Sequence, residues 1–193
     1  LSHKMEEAAW DDWVFYVWAA RLEAGYPAEN RIFNGGFERE PSAVPFDWQI
    51  QKLPGVQVTF DKAVHAEGTR SLRLAFDGTE NVTEVGVAQS VYLEAGHYAF
   101  RAQVRSDGLT TDQGVSFNIQ YDAAPSELNV TTEAILSPTD WTPVTMEFDA
   151  PSNGGMVSVR VVRKASLKFD KLVKGDMRID QIAITVENER DWP

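Results

Sequence analysis

"HYAFRAQVR", residues 97–105, alternates apolar and polar side chains. Tyr98, Phe100, Ala102 and Val104 share one parity, and His97, Arg101, Gln103 and Arg105 the other. A period of two places successive side chains on opposite faces of a strand, so one face is buried and the other is wet. The same pattern recurs in "SLRLAF" (71–76), "GVSFNIQYD" (114–122), "MVSVRVV" (156–162) and "IDQIAITV" (179–186). Shorter candidates are "WQIQ", "VQVTF", "TEVGVAQSVYL", "NVTTEAIL" and "TPVTMEF". Between them lie turn signals: "DGT" at 77, "EAGH" at 94, "SDG" at 106, "SPTD" at 137, "PSNGG" at 151 and "KGD" at 174. Many short strands with no helix between them predict an all-β fold, a two-sheet antiparallel jelly-roll sandwich.

Upstream the period changes. In "KMEEAAWDDWVFYVWAARLEA" (4–24), Trp10, Trp13, Val14, Val17, Trp18 and Leu22 recur at helical spacing. Acidic residues come early and Arg21 late, as the helix dipole favours, and "GYP" at 25–27 supplies the stop. The spacing predicts one N-terminal helix over 5–24, its tryptophans buried against the sandwich or another chain. The organisation expected is a helix in 1–29, a jelly roll in 30–187 and a tail in 188–193. The chain begins at Leu1 and reads as a piece of a longer protein, whose remainder is then one partner.

Composition narrows the function. The 193 residues carry 29 acidic and 18 basic side chains, a formal charge of -11, which disfavours nucleic acid and anionic membrane surfaces. Cysteine is absent, so neither a disulfide framework nor a thiolate site is available. No apolar run is long enough to span a bilayer. His3, His65 and His97 have no motif partners, and no nucleophile elbow, phosphate loop, zinc-protease or dinucleotide fingerprint occurs. Nothing in the sequence places a facing carboxylate pair, so the chain does not read as an enzyme. "NVT" at 81 and 129 matches a glycosylation sequon, a pattern common by chance.

The order of landmarks carries a resemblance. "NGGFE" (34–38) is followed by Trp48, "EGTRSLRL" (67–74), "AQSVYLEAGHYAFRAQVR" (88–105), "TDWTPVTMEFDAP" (139–151) and "GDMRIDQIAI" (175–184). The series resembles the galactose-binding-like jelly rolls, in particular the carbohydrate-binding modules of bacterial cellulases and xylanases. The resemblance implies a non-catalytic carbohydrate-binding module of a larger, exported bacterial protein, hence extracytoplasmic. It implies a structural calcium ion held by carboxylates at positions matching Glu38 and Asp180, with carbonyls from "AVHAEGTR" (63–70). The residues agree in part. Asp180 has the parity of Ile182 and Ile184, which turns it toward the interior, where a carboxylate needs a cation or several donors. The alternative is that Asp180 caps a turn and Glu38 is solvated.

In such modules sugars lie on the concave outer face of one sheet, against aromatic rings. Here the outward positions include Arg101, Gln103, Arg105, Asn118, Gln120, Asp122, Ser158 and Arg160, with no aromatic among them. Arg101, Gln103, Asn118, Gln120 and Arg160 are the ligand candidates and are expected to form one patch. Amides and arginine forks suit hydroxyls and carboxylates, which points to a polysaccharide or an acidic oligosaccharide. Trp48 and Trp141 read first as core residues. The loops "LTTDQG" (109–114) and "LKFDKLVKGD" (167–176) are the other places for recognition, ordinary solvated loops being the alternative. A competing reading is a protein-interaction or structural jelly roll without a sugar ligand.

Overall fold

The computed structural model describes residues 14, 17, 19, 26, 29–42, 44–110, 112–136, 138–167 and 172–187. Among these residues ten strands run in chain order: β1 Gln49–Ile50, β2 Val56–Asp61, β3 Ser71–Asp77, β4 Glu84–Leu93, β5 His97–Thr110, β6 Ser116–Tyr121, β7 Asn129–Thr131, β8 Thr142–Asp149, β9 Gly155–Val162 and β10 Lys174–Val186. They pair antiparallel in two five-stranded sheets, β1-β4-β9-β6-β7 and β2-β3-β10-β5-β8. The alternation read from the sequence fixes which side of each strand is dry. Val157, Val159 and Val161 of β9 are buried, as are Phe117 and Ile119 of β6. From the other sheet Leu72, Leu74, Phe100, Val104 and Ile179 close the core. Phe100 and Phe117 meet between the sheets with ring centroids 4.9 Å apart.

Two turn signals are overturned. "SDG" at 106 and "KGD" at 174 lie inside strands, because β5 continues to Thr110 and β10 starts at Lys174. The strands pair there with a register shift between Lys174 and Asp176. Gly108 and Gly175 face each other across this bulge, with φ of 59° and 113°. A Cβ on Gly175 would lie 2.3 Å from the Gly108 carbonyl oxygen. Glycine therefore serves a bulge here, which locally mimics the sequence of a turn.

The double glycine of "NGGFE" has a similar cause. Ile182 N–H donates to the Gly35 carbonyl at 3.0 Å, and a Cβ on Gly35 would stand 1.9 Å from the Ile182 oxygen. The backbone of residues 30–35 runs beside β10, and at Gly35 only glycine permits that approach. The helix expected over 5–24 lies outside the described residues apart from Val14, Val17 and Ala19, of which Ala19 is buried. Trp10, Trp13 and Trp18 lie outside them, as do 168–171 of the loop at 167–176. No helix among the described residues is long and apolar enough to cross a membrane.

Candidate carbohydrate-binding face

The outer face of the β1-β4-β9-β6-β7 sheet is built in cross-strand rows. One row reads Gln49, Ala88, Arg160, Asn118, Thr131, each opposite the next. The next reads Ser90, Ser158, Gln120, Asn129. Tyr92 opposite Met156 begins a third. Arg160 stands on the central strand. Its Nη2 donates to Asn118 Oδ1 at 3.0 Å and to Gln120 Oε1 at 2.7 Å, both neutral acceptors. Its Nε is buried without an acceptor. Asn118 is fixed in turn, donating through Nδ2 to Asn129 Oδ1, the Val130 carbonyl and Thr131 Oγ1. Ser158 donates to Asp122 Oδ1 at 2.6 Å. Because Ala88 is small, a cleft of about 360 Å³ opens beside the guanidinium, walled by Gln49, Gln51, Leu53, Glu84 and Gly86.

Three of the five ligand candidates, Asn118, Gln120 and Arg160, are thus one hydrogen-bonded cluster. Arg101 and Gln103 are not part of it. They lie on β5, in the other sheet, so the expectation of a single patch fails. Arg101 donates to Thr185 Oγ1 at 2.7 Å and pairs with Glu187 at 2.6 Å. The reason is topological: β5 and β6 follow one another in sequence but belong to opposite sheets, so shared parity does not mean a shared surface. The sequence reading also missed Gln49 and Tyr92. Val85, Val87, Val91 and Leu93 are buried, which turns Tyr92 outward on β4, so this face does carry an aromatic ring. The alternation in "EVGVAQSVYL" was the available signal.

Of the two tryptophans, Trp48 is buried, donates from Nε1 to the Asn34 carbonyl at 3.1 Å and packs on Phe37. Trp141 is half-buried and is not among the residues packed on the core. It immediately precedes β8.

Glu38 and Asp180 converge on the loop 63–70. Ala66 and Glu67 N–H donate to Asp180 Oδ2 at 2.8 and 3.2 Å, and Gln181 N–H to Oδ1 at 2.8 Å. Thr69 N–H donates to both Glu38 oxygens, at 3.0 and 3.1 Å, and its hydroxyl to Oε2 at 2.5 Å. Those bonds, the hydroxyl's first, hold the Glu38 carboxyl below its usual range. Asp180 is wholly buried, and burial pushes its carboxyl up, with Glu38 adding repulsion. The inward parity read in the sequence does not hold. β10 is irregular between Asp180 and Ala183, and Gln181 has φ of 52°, so Met177 and Ile179 point inward before the irregularity and Ile182 and Ile184 after it, while Asp180, opposite Gln103, lies on the other side of the strand and meets the 63–70 loop. Two carboxylates facing one loop, one of them buried with no ion-pair partner among the described residues, fit a hard cation in charge and donor type. Among the described residues no group of three or more acidic or histidine side chains converges, so further oxygens would come from backbone.

A two-sheet antiparallel jelly roll whose open face carries amides, hydroxyls and one central arginine defines a ligand-binding β-sandwich. A model of a family described as a carbohydrate binding domain, CBM_4_9, matches residues 29–167, and the chain belongs to that family. A comparison with curated proteins finds no match. Among solved structures, the CBM22-1 xylan-binding domain of Paenibacillus barcinonensis Xyn10C superposes with TM-score 0.53 at 13% identity, over 84% of this chain and 98% of that one. The CBM22-1–GH10 modules of a Clostridium thermocellum xylanase, complexed with xylohexaose, give 0.51 at 14% identity, over 86% of this chain and 30% of that one. A family 16 carbohydrate-binding module gives 0.52 at 23% identity, over 81% of this chain and 99% of that one. At these identities the structural likeness establishes the fold, and the family model establishes a sugar-binding domain.

Proposed function

We propose that the chain binds a polysaccharide, or an oligosaccharide bearing carboxylates, on the outer face of the β1-β4-β9-β6-β7 sheet, with Arg160 as its anchor. One observation carries this reading. Arg160 is centred in a cross-strand row, lines the cleft, and among the described residues bonds only to two neutral amides and to no carboxylate. A charge held this way gains from a ligand carboxylate or hydroxyl, and a guanidinium fork suits the former best. Gln49 and Gln51 supply amides to the same cleft, and Tyr92 an aromatic ring at the far end of the face. The reading is non-catalytic. Glycoside hydrolysis needs two facing carboxyl groups, and Glu84 is the one carboxylate among the residues lining the cleft.

We also propose a structural calcium ion near Glu38 and Asp180. Those two carboxylates and carbonyl oxygens of the 63–70 loop would hold it, and its charge would offset the burial of Asp180.

The test of the ligand face is titration calorimetry of acidic and neutral oligosaccharides with wild type and Arg160→Ala. Affinity is expected on the order of micromolar to millimolar, because a wet polar face must release water for each bond formed. Arg160→Ala is expected to abolish binding on this face while the melting curve stays sharp. Binding unchanged in the variant would overturn the assignment.

A further inference from the structure

The outer face of the β1-β4-β9-β6-β7 sheet carries its charges in a fixed order along the strands. Among the described residues, the charged side chains on its outward rows are Glu84, Arg160 and Asp122. Register sets the order. Arg160 of β9 stands opposite Ala88. Two residues further along β9, Val162 stands opposite Glu84, the first residue of β4. Two residues the other way, Ser158 donates from its hydroxyl to Asp122 Oδ1 at 2.6 Å. A strand rises about 3.3 Å per residue, so each acid is tied to a point about 7 Å along β9 from the arginine's row. One cation is bracketed by two carboxylates, one on each side.

The three charges do not neutralise one another. Glu84 and Arg160 line the same cleft of about 360 Å³. Yet the Glu84 carboxylate has no hydrogen bond or ion pair among the described residues. Arg160 bonds there only to Asn118 Oδ1 and Gln120 Oε1, which draw its guanidinium toward β6 and away from β4. Asn118 is itself fixed by three bonds to β7, so the guanidinium is held in place. An exposed ion pair is worth little, and two amide bonds suffice to prevent one here. The pattern of acid, base and acid stays open to a ligand.

Resting on the assignment of Arg160 as the sugar anchor, we infer that this face selects glycans whose carboxylates are sparse: one uronic-acid unit at Arg160, with uncharged units on both sides. Arg160 receives the carboxylate. Glu84 and Asp122 accept hydroxyls from the flanking units, since an ionised carboxyl is an acceptor only. A chain with a carboxylate on every unit gains at Arg160 and is repelled at both flanks. The protein's net charge of -11 adds to that repulsion. Unpaired like charge set against the wrong ligand is one half of specificity. The ligand class is therefore a neutral polysaccharide with occasional acidic units, not a polyuronate.

The experiment uses the whole 193-residue chain. Linear tetrasaccharides of a galactose and a glucose series are titrated calorimetrically, each series neutral, with a single uronic-acid unit, or uronic throughout. The proteins are wild type, Glu84→Gln, Asp122→Asn, the double variant and Arg160→Ala, each checked by thermal melting. Wild type is expected to bind the single-acid chain more tightly than either the neutral or the fully uronic one. The double variant should raise affinity for the fully uronic chain, relative to the single-acid chain, about threefold or more at low salt, as removal of two exposed like charges does. Each single variant should give part of that gain, which keeps the test valid if the double variant misfolds. Raising the salt should shrink the gain, because the repulsion is screened. Equal wild-type affinity for the single-acid and fully uronic chains, or a ratio unmoved in all three acid variants, overturns this selectivity; if Arg160→Ala still abolishes binding, the face itself stands. Binding that survives Arg160→Ala overturns the face and this inference with it, as does no heat from wild type with any of the sugars.

Discussion

At the scale of single residues, the arginines of this protein differ in what surrounds them. Arg160 sits among amides, Arg101 against Glu187, and Arg178 against Asp61. Among the described residues Arg160 bonds to no carboxylate whereas Arg101 and Arg178 do, so charge alone was a poor guide to the candidate face. His97 shows the same dependence on neighbours. Its Nδ1 lies 2.8 Å from Asp149 Oδ1 and its Nε2 3.5 Å from Glu147 Oε2. Those carboxylates, the hydrogen bond to Asp149 first, raise its pKa above the ordinary 6.5. A histidine raised in the folded state stabilises fully below 6.5 and loses that contribution as pH rises through the higher folded value. The effect is small, because the group is exposed and screened. Melting temperatures of wild type and His97→Gln should therefore differ most near the acid end of a scan and converge toward the alkaline end. A gap that widens with pH would contradict the assignment of His97 to this pair of acids.

At the scale of elements, β10 does most of the organising. It pairs with β3 along its first half and with β5 along its whole length, and its irregularity at 180–183 lets residues 30–35 run beside it. The same irregularity delivers Asp180 to the loop 63–70. Without a cation, the raised pKa of Asp180 means that stability falls as pH rises through that value, since ionising a buried carboxyl is costly. The proposed calcium ion, bound to the folded state, would reverse the trend, because only the ionised form coordinates. Thermal melts with calcium and with chelator at neutral pH should separate for wild type and coincide for Asp180→Ala. Coincident wild-type melts after thorough stripping of metal would refute the proposed ion.

At the scale of the whole molecule, the two sheets are joined by packing and not by shared strands. Phe117 of one sheet and Phe100 of the other, both wholly buried, form part of that contact. Phe117→Ala should cost about 3–5 kcal/mol, the range for emptying an aromatic site in a core. Urea unfolding would show it as a lower midpoint with an unchanged slope. A loss below about 1 kcal/mol would mean that the interior collapses around the gap, which dense cores seldom allow. The arrangement also gives the domain two outward faces on opposite sides, and this separates Arg160 from Arg101.

The strands were legible because burial on one face imposes a period of two, visible in runs such as "GVSFNIQYD". Inward residues such as Val157, Val159, Phe117 and Ile119 followed from that period alone. Bulges were not legible, since Gly108 and Gly175 look the same whether they turn a chain or relieve a ladder. The cluster of Arg160, Asn118 and Gln120 was half legible: parity placed each residue outward but carried no information on which sheet its strand joined. Sequence alone determined the alternation, the class of fold and the family, because these rest on local pattern and order. Tertiary structure decided which strands are neighbours, which arginines are neutralised and where Tyr92 and Trp141 stand. Those properties depend on contacts between residues far apart in the chain, and a period of two does not encode them.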